Sequence, residues 1–206
     1  KESDTANFGT DVIEPSMEVP IIVDFWAPWC GPCKQLGPLL EKLVTQAGGL
    51  VRMVKINVDE NKELAGQLRI QSIPAVFAFK DGQPADGFVG AQTERQIKDF
   101  IGRLIGDAKT PLDAALEQAK TAMEEGNIDA AGAIYMDVMR QDPENTEAIS
   151  GLIRCSVAIG KLEHAQEIIT QLDDKIKIAP EVAAAISALE LAQQSDASGD
   201  TADLGQ

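Results

Sequence analysis

Residues 20–33 read Pro-Ile-Ile-Val-Asp-Phe-Trp-Ala-Pro-Trp-Cys-Gly-Pro-Cys, and no other stretch restricts the fold as tightly. The β-branched and aromatic run 20–26 suits a strand buried on both faces. Beyond Cys33, residues 34–46 place Leu36, Leu39, Leu40, Leu43 and Val44 at helical spacing, and Gly48-Gly49 ends that helix. Cys30 and Cys33 therefore stand where a strand gives way to a helix. A thiolate at a helix N-terminus is stabilised by unpaired N–H groups and the helix dipole, which lowers its pKa. Two intervening residues on such a turn allow a bond between the cysteines, and the spacing makes Cys30 the exposed member. Attack by Cys30 on a substrate disulfide gives a mixed disulfide that Cys33 then resolves.

The same spacing is also half of a zinc site. Completing it would require Cys155 and His164 from the far half of the chain, and Pro32 suits a helix start better than a zinc knuckle. No metal is therefore expected. His164 is the single histidine, so any Ser–His–Asp or Cys–His catalytic set would have to run through it. Its place one residue before an alanine of a helical segment suits a surface or interhelical role instead. Three cysteines are too few for a disulfide scaffold, and one is left over after any pairing. That one, Cys155, reads as a small buried hydrophobe.

The net charge of −15 argues against a nucleic-acid binder, which would carry a basic stripe. The acidity is uneven: residues 1–106 hold 14 acids and 11 bases, residues 107–206 hold 19 acids and 7 bases. Such asymmetry suggests two modules, the second with solvated acidic helix faces. No run approaches the roughly 20 apolar residues that span a bilayer, so no membrane partner is expected. No apolar leader follows Lys1-Glu2-Ser3-Asp4, and a cytoplasmic setting with resting thiols reduced is the expectation.

In the first module a second strand is expected at 51–58, a short helix to about 68, a third strand at 75–79 and a fourth at 87–89. Thr93 opens a final helix with Ile97, Phe100, Ile101, Leu104 and Ile105 on one face. Right-handed crossover makes the first two strands parallel, and the Asp81-Gly82 turn makes the last two a hairpin.

From Thr110 the texture changes to alanine-rich helices without strand signals. Helical segments are expected at about 112–125, 128–141, 145–159, 161–173 and 180–193. Gly126 and Gly160 lie 34 residues apart, as do Ala131 and Ala165. That period of helix–turn–helix units looks like tetratricopeptide repeats, although the Trp and Leu-Gly of the motif's first helix are missing. Residues 195–206 are mostly Asp, Ser, Gly and Ala and read as a disordered acidic tail.

Residues 8–106 resemble a thioredoxin domain, carrying Trp-Cys-Gly-Pro-Cys-Lys as reducing thioredoxins have it. The resemblance implies an α/β thioredoxin fold, a central mixed sheet flanked by helices, over 1–106. An all-α tetratricopeptide-like module follows over 107–194. It implies that Asp24 is the buried proton acceptor for Cys33, with Lys55 as its neighbour. It also implies that Ile73-Pro74 carries the cis-proline packed on the disulfide. Trp29, Gly31, Pro32, Ile73, Pro74 and Gly90 would then contact an extended client. Read without the resemblance, Asp24 could be a strand-edge charge and Pro74 an ordinary loop proline. A thioredoxin usually opens with a strand, which residues 1–7 are too polar and short to show. No cofactor beyond the Cys30–Cys33 disulfide is implied. The Gly-Pro dipeptide implies a reductase potential near roughly −270 mV and not the roughly −120 mV of an oxidant.

A thioredoxin domain fused to such repeats is similar to the bacterial chaperedoxins, thioredoxin-like co-chaperones. That likeness implies thiol–disulfide exchange combined with holding of unfolded or oxidised clients for the chaperonin GroEL or the DnaK system. A thioredoxin-reductase-type electron donor is implied as well. No Walker-type glycine loop is present, so holding would be ATP-independent. The alternative is a plain disulfide reductase whose repeats only select clients or act as an adaptor.

Overall fold

The computed structural model describes residues 1–202. The chain forms two compact units that divide between Pro111 and Leu112.

The first unit is built on a four-stranded sheet in the order β2-β1-β3-β4. Strand β1 (Ile21–Trp26) runs parallel to β2 (Arg52–Asn57) and antiparallel to β3 (Ala75–Lys80), which forms a hairpin with β4 (Gln83–Val89). Helix α1 (Gly31–Gln46) links β1 to β2, α2 (Lys62–Gln67) precedes β3, and α3 (Glu94–Ile105) closes the unit behind a Thr93–Gln96 capping box. This is the mixed sheet flanked by helices that the sequence predicts, with β4 extending further back to Gln83 than the apolar residues alone indicate.

The period-2 alternation of β1 divides the core and places the chemistry. Ile21, Val23 and Phe25 face one side, packed with Val12, Val54, Ile56, Leu64 and Phe79. Ile22 faces the other, against Leu36, Leu40 and Leu43 of α1 and Ile97, Phe100 and Leu104 of α3. Asp24 shares the face of Ile22. Its register partner on β2 is Lys55, which follows the same alternation.

The N-terminal segment does pair, by one residue. Lys55 N–H donates to the Lys1 carbonyl at 2.8 Å and Ser3 N–H donates to the Lys55 carbonyl at 2.9 Å, a single parallel bridge on the edge of β2. Residues beyond it wrap back over the sheet. Buried Asn61 accepts from the Thr5 amide and hydroxyl, and Phe8 packs edge-on against Phe79.

In the second unit α6 (Thr146–Ala158) is the central element. One of its faces, Ala148, Leu152 and Cys155, packs with Leu116 and Ala119 of α4 (Pro111–Glu124) and with Ala131, Tyr135 and Val138 of α5 (Ile128–Gln141). The other, Ile149 and Ile153, packs with Ala165 and Ile169 of α7 (Leu162–Thr170), Ile176 of α8 (Asp174–Lys177), and Val182, Ala185 and Leu189 of α9 (Pro180–Ala202). The 34-residue period is visible as geometry. Gly126 and Gly160 both adopt positive φ just past a helix end, at 79° and 73°. The next residue's amide reaches back to the helix in both copies, Asn127 to the Ala122 carbonyl and Lys161 to that of Ser156. This is the C-terminal cap that favours glycine.

Two expectations need correction here. The helix expected over 161–173 stops at Thr170, because Asp173 turns extended and begins the separate α8. The period is kept across this break, since α9 opens at Pro180, 34 residues after Thr146 opens α6. The disordered tail expected from 195 is helical as far as Ala202, since extending a formed helix adds a hydrogen bond for each residue ordered. Residues 203–206 lie outside the described residues.

Repeat packing depends on a missing side chain. A Cβ at Gly151 would lie 2.3 Å from Cζ of buried Tyr135 and 2.5 Å from both of its Cε atoms. Gly151→Ala is therefore expected to destabilise the second unit by about 1–3 kcal/mol. Both tryptophans lie in the first unit. Thermal scans should show the far-UV helix signal melting several degrees earlier while the tryptophan transition stays in place.

Candidate active site

Cys30 is the N-cap of α1, with extended backbone, followed by Gly31 and Pro32 in the first turn and Cys33 at its third position. Proline costs nothing there because the first-turn amides have no helical partner. The Cys33 amide donates to Cys30 Sγ at 3.2 Å, so the sulfur occupies the place of a capping oxygen. The same amide would stabilise a Cys30 thiolate once the bond is reduced. Cys30 and Cys33 are joined as a disulfide with Cα atoms 5.3 Å apart.

The pair is less accessible than its spacing predicts. Cys30 and Cys33 are equally buried, each 4 % exposed, where Cys30 is expected to be the exposed member. The two sulfurs are covered together with Ala27 by Trp26, Val58 and Ile73. The exposed groups are their neighbours, Trp29, Gly31 and Pro32. The Trp29 indole N–H donates to Asp59 Oδ2 at 2.9 Å, which fixes a ring that is otherwise largely in solvent.

Ile73 lies directly against the disulfide cluster, and the Ile73–Pro74 peptide bond is cis. Pro74 is buried, and its carbonyl accepts from the Gly90 amide at 2.8 Å. Gly90 has φ of 92°, which admits that approach with little strain only for glycine. Ile73, Pro74 and Gly90 thus form one corner of the sheet, where β3 begins and β4 ends.

Asp24 lies beneath α1, fully buried, and neither of its oxygens has a hydrogen-bond partner among the described residues. Burial pushes its carboxyl up to about 6, against the pull of Lys55 and with a smaller push from Glu41. Lys55 is held elsewhere: its Nζ meets Glu41 Oε1 at 3.0 Å and lies 5.4 Å from the centre of the Trp26 ring. The Trp26 indole nitrogen is also buried, with no hydrogen-bond partner among the described residues.

Sequence reading does not single out Glu41, Asp59 or Gly37. Glu41 lies eight residues beyond Cys33 on α1, a helical spacing that could have placed it near the site. Asp59 carries no such signal. Of the residues read as incidental, His164 exchanges a hydrogen bond with Ser156 across α6 and α7, Nδ1 to Oγ 3.0 Å. Cys155 is buried, and burial pushes its thiol up, which makes it a poor nucleophile. Among the described residues no group of histidine, cysteine and carboxylate side chains is arranged to hold a metal. No helix there is long and apolar enough to cross a membrane.

A dithiol that closes to a disulfide at a helix start, beside a cis-proline and above a buried carboxylate, is a thiol–disulfide exchange centre. Residues 1–103 match the thioredoxin family and residues 122–196 match a tetratricopeptide repeat. The chain is 48% identical over 98 residues to thioredoxin 1 of Synechococcus elongatus, covering 48% of this chain and 90% of that protein. It is 41% identical over 100 residues to a thioredoxin of Haemophilus influenzae, covering 48% and 92%. Against the mitochondrial thioredoxin of Mus musculus it is 46% identical over 89 residues, covering 43% and 54%. The chain belongs to the thioredoxin family, and with its Cys30–Cys33 pair it is a thiol–disulfide oxidoreductase.

Proposed function

We propose that this protein is a thioredoxin-like co-chaperone of the chaperedoxin kind, reducing client disulfides with one unit and holding unfolding clients with the other. One observation carries the reading. An intact Cys-Gly-Pro-Cys centre shares its chain with a helical repeat unit that has its own core and a separate groove of about 440 Å³. The groove is lined by Lys120, Tyr135, Arg154 and Glu181 among others, and solenoid surfaces of this kind serve binding more often than chemistry.

In the redox half, the Cys30 thiolate attacks one sulfur of a client disulfide and the client's other sulfur leaves as a thiolate. Asp24 takes the proton from the Cys33 thiol. The Cys33 thiolate then attacks Cys30 Sγ, closing the Cys30–Cys33 disulfide and releasing the client's second sulfur. Trp29, Gly31, Pro32, Ile73, Pro74 and Gly90 form the surface on which an extended client lies. A thioredoxin-reductase-type donor restores the dithiol. Held clients pass to GroEL or the DnaK system in a bacterial cytoplasm, without ATP consumed by this chain.

The test is suppression of thermal aggregation of a cysteine-free client, without ATP, by wild type and by the Cys30→Ser/Cys33→Ser double variant. Both are expected to suppress it equally near equimolar ratio, because the client offers the redox centre nothing. Absence of suppression alongside brisk insulin reduction by wild type would leave the plain reductase with client-selecting repeats.

A further inference from the structure

The buried carboxylate and its nearest cation are neighbours without being partners. Asp24 and Lys55 are register partners on adjacent parallel strands and share a face of the sheet. Gly37 of α1 lies over both: a Cβ there would be 3.7 Å from Asp24 Oδ2 and 3.6 Å from Lys55 Nζ. No side chain at position 37 separates them, yet neither Asp24 oxygen is hydrogen-bonded. The ammonium is engaged by Glu41, one turn further along α1.

We propose that Glu41 is a positioning residue for the redox centre, holding Lys55 short of an ion pair with Asp24 and so keeping the buried carboxylate ready to accept a proton. This rests on the reading of Asp24 as proton acceptor for Cys33.

The surroundings favour a local device. The charged groups facing Asp24 are Lys55 from β2 and Glu41 from α1, while β3 presents Val76 as its register partner. Lys1 lines the same opening of about 200 Å³ as Glu41 and Lys55, and is itself held by Asp11 at 2.6 Å. Glu41 is half exposed, so its pairing with Lys55 contributes little to folding. Its effect on a buried neighbour is larger, because water screens less there. With Glu41 in place Lys55 is drawn outward and a second negative charge is added. Both effects raise the proton affinity of Asp24 beyond the larger rise that burial already causes.

The experiment is a carbon-13 NMR titration of the Asp24 carboxyl in the oxidised protein. Glu41→Gln is expected to lower its midpoint by about half a pH unit, while Glu41→Asp retains it and Lys55→Gln raises it. A midpoint that Glu41→Gln leaves unmoved or raises would overturn the proposal and reduce the Lys55–Glu41 contact to a surface pair. The acceptor role is read separately, from the pH profile of Cys33 alkylation in reduced wild type and Asp24→Asn. An unchanged profile in Asp24→Asn removes that role and leaves the midpoint result standing by itself.

Discussion

Replacing Cys30 with serine is expected to cut dithiothreitol-driven insulin reduction to the uncatalysed rate, a loss of at least about a hundred-fold in the catalysed component. The fold should survive, because what Cys30 does structurally is accept the Cys33 amide at the start of α1, and a serine hydroxyl caps a helix well. What is lost is chemical: a hydroxyl at neutral pH supplies no nucleophile comparable to a thiolate stabilised by first-turn amides. Neither remaining cysteine should substitute. Cys33 is interior to the helix turn, and Cys155 is buried in the other unit with its thiol pushed up. Residual turnover above about a hundredth of wild type would mean that one of them attacks after all. A melting curve of the variant separates this loss from unfolding.

The position of the cysteine pair was legible because three local signals agree at one place: a buried strand, a helix period and a proline between the cysteines. Asp24 was legible only through the family resemblance, since its own sequence surroundings suit a strand-edge charge as well as a buried one. The repeats were legible through their caps, where Gly126 and Gly160 adopt the same left-handed backbone one period apart. What escaped depends on contacts between distant elements. The Trp29–Asp59 and Lys55–Glu41 pairings join side chains 30 and 14 residues apart, and no local pattern announces which charge will meet which. The covered state of Cys30 escaped for the same reason, since Val58 reaches it from just past β2 and Ile73 from the loop before β3. The break after Thr170 follows from Asp173 taking the extended backbone of an N-cap, where residue spacing alone would carry the helix on to 173.

Replacing Asp24 with asparagine is expected to stabilise the first unit at neutral pH and to bring no such gain in acid. In the unfolded chain the carboxyl titrates near 3.8, and in the folded one near about 6, because burial disfavours the charged form more than Lys55 restores it. Below 3.8 both states hold the proton and the side chain carries no ionisation cost. Between those values the folded state keeps a proton that the unfolded state releases, so stability falls as pH rises. Above about 6 both are ionised and the loss is complete, at most about 3 kcal/mol. Asparagine has nearly the same shape and never ionises. Urea unfolding followed by tryptophan fluorescence, which reports on Trp26 and Trp29 alone, should show a variant advantage at pH 8 about 2–3 kcal/mol larger than at pH 3.5. Comparing the two pH values cancels any effect of the amide group itself. An advantage independent of pH would mean that Asp24 ionises in the folded protein as easily as in water, with Lys55 turned inward to it. With Asp24 in its proposed role as proton acceptor, the expected gain also explains what wild type retains at a cost, a carboxylate that weakens the fold at working pH. The stabilised variant should accordingly resolve mixed disulfides more slowly than wild type.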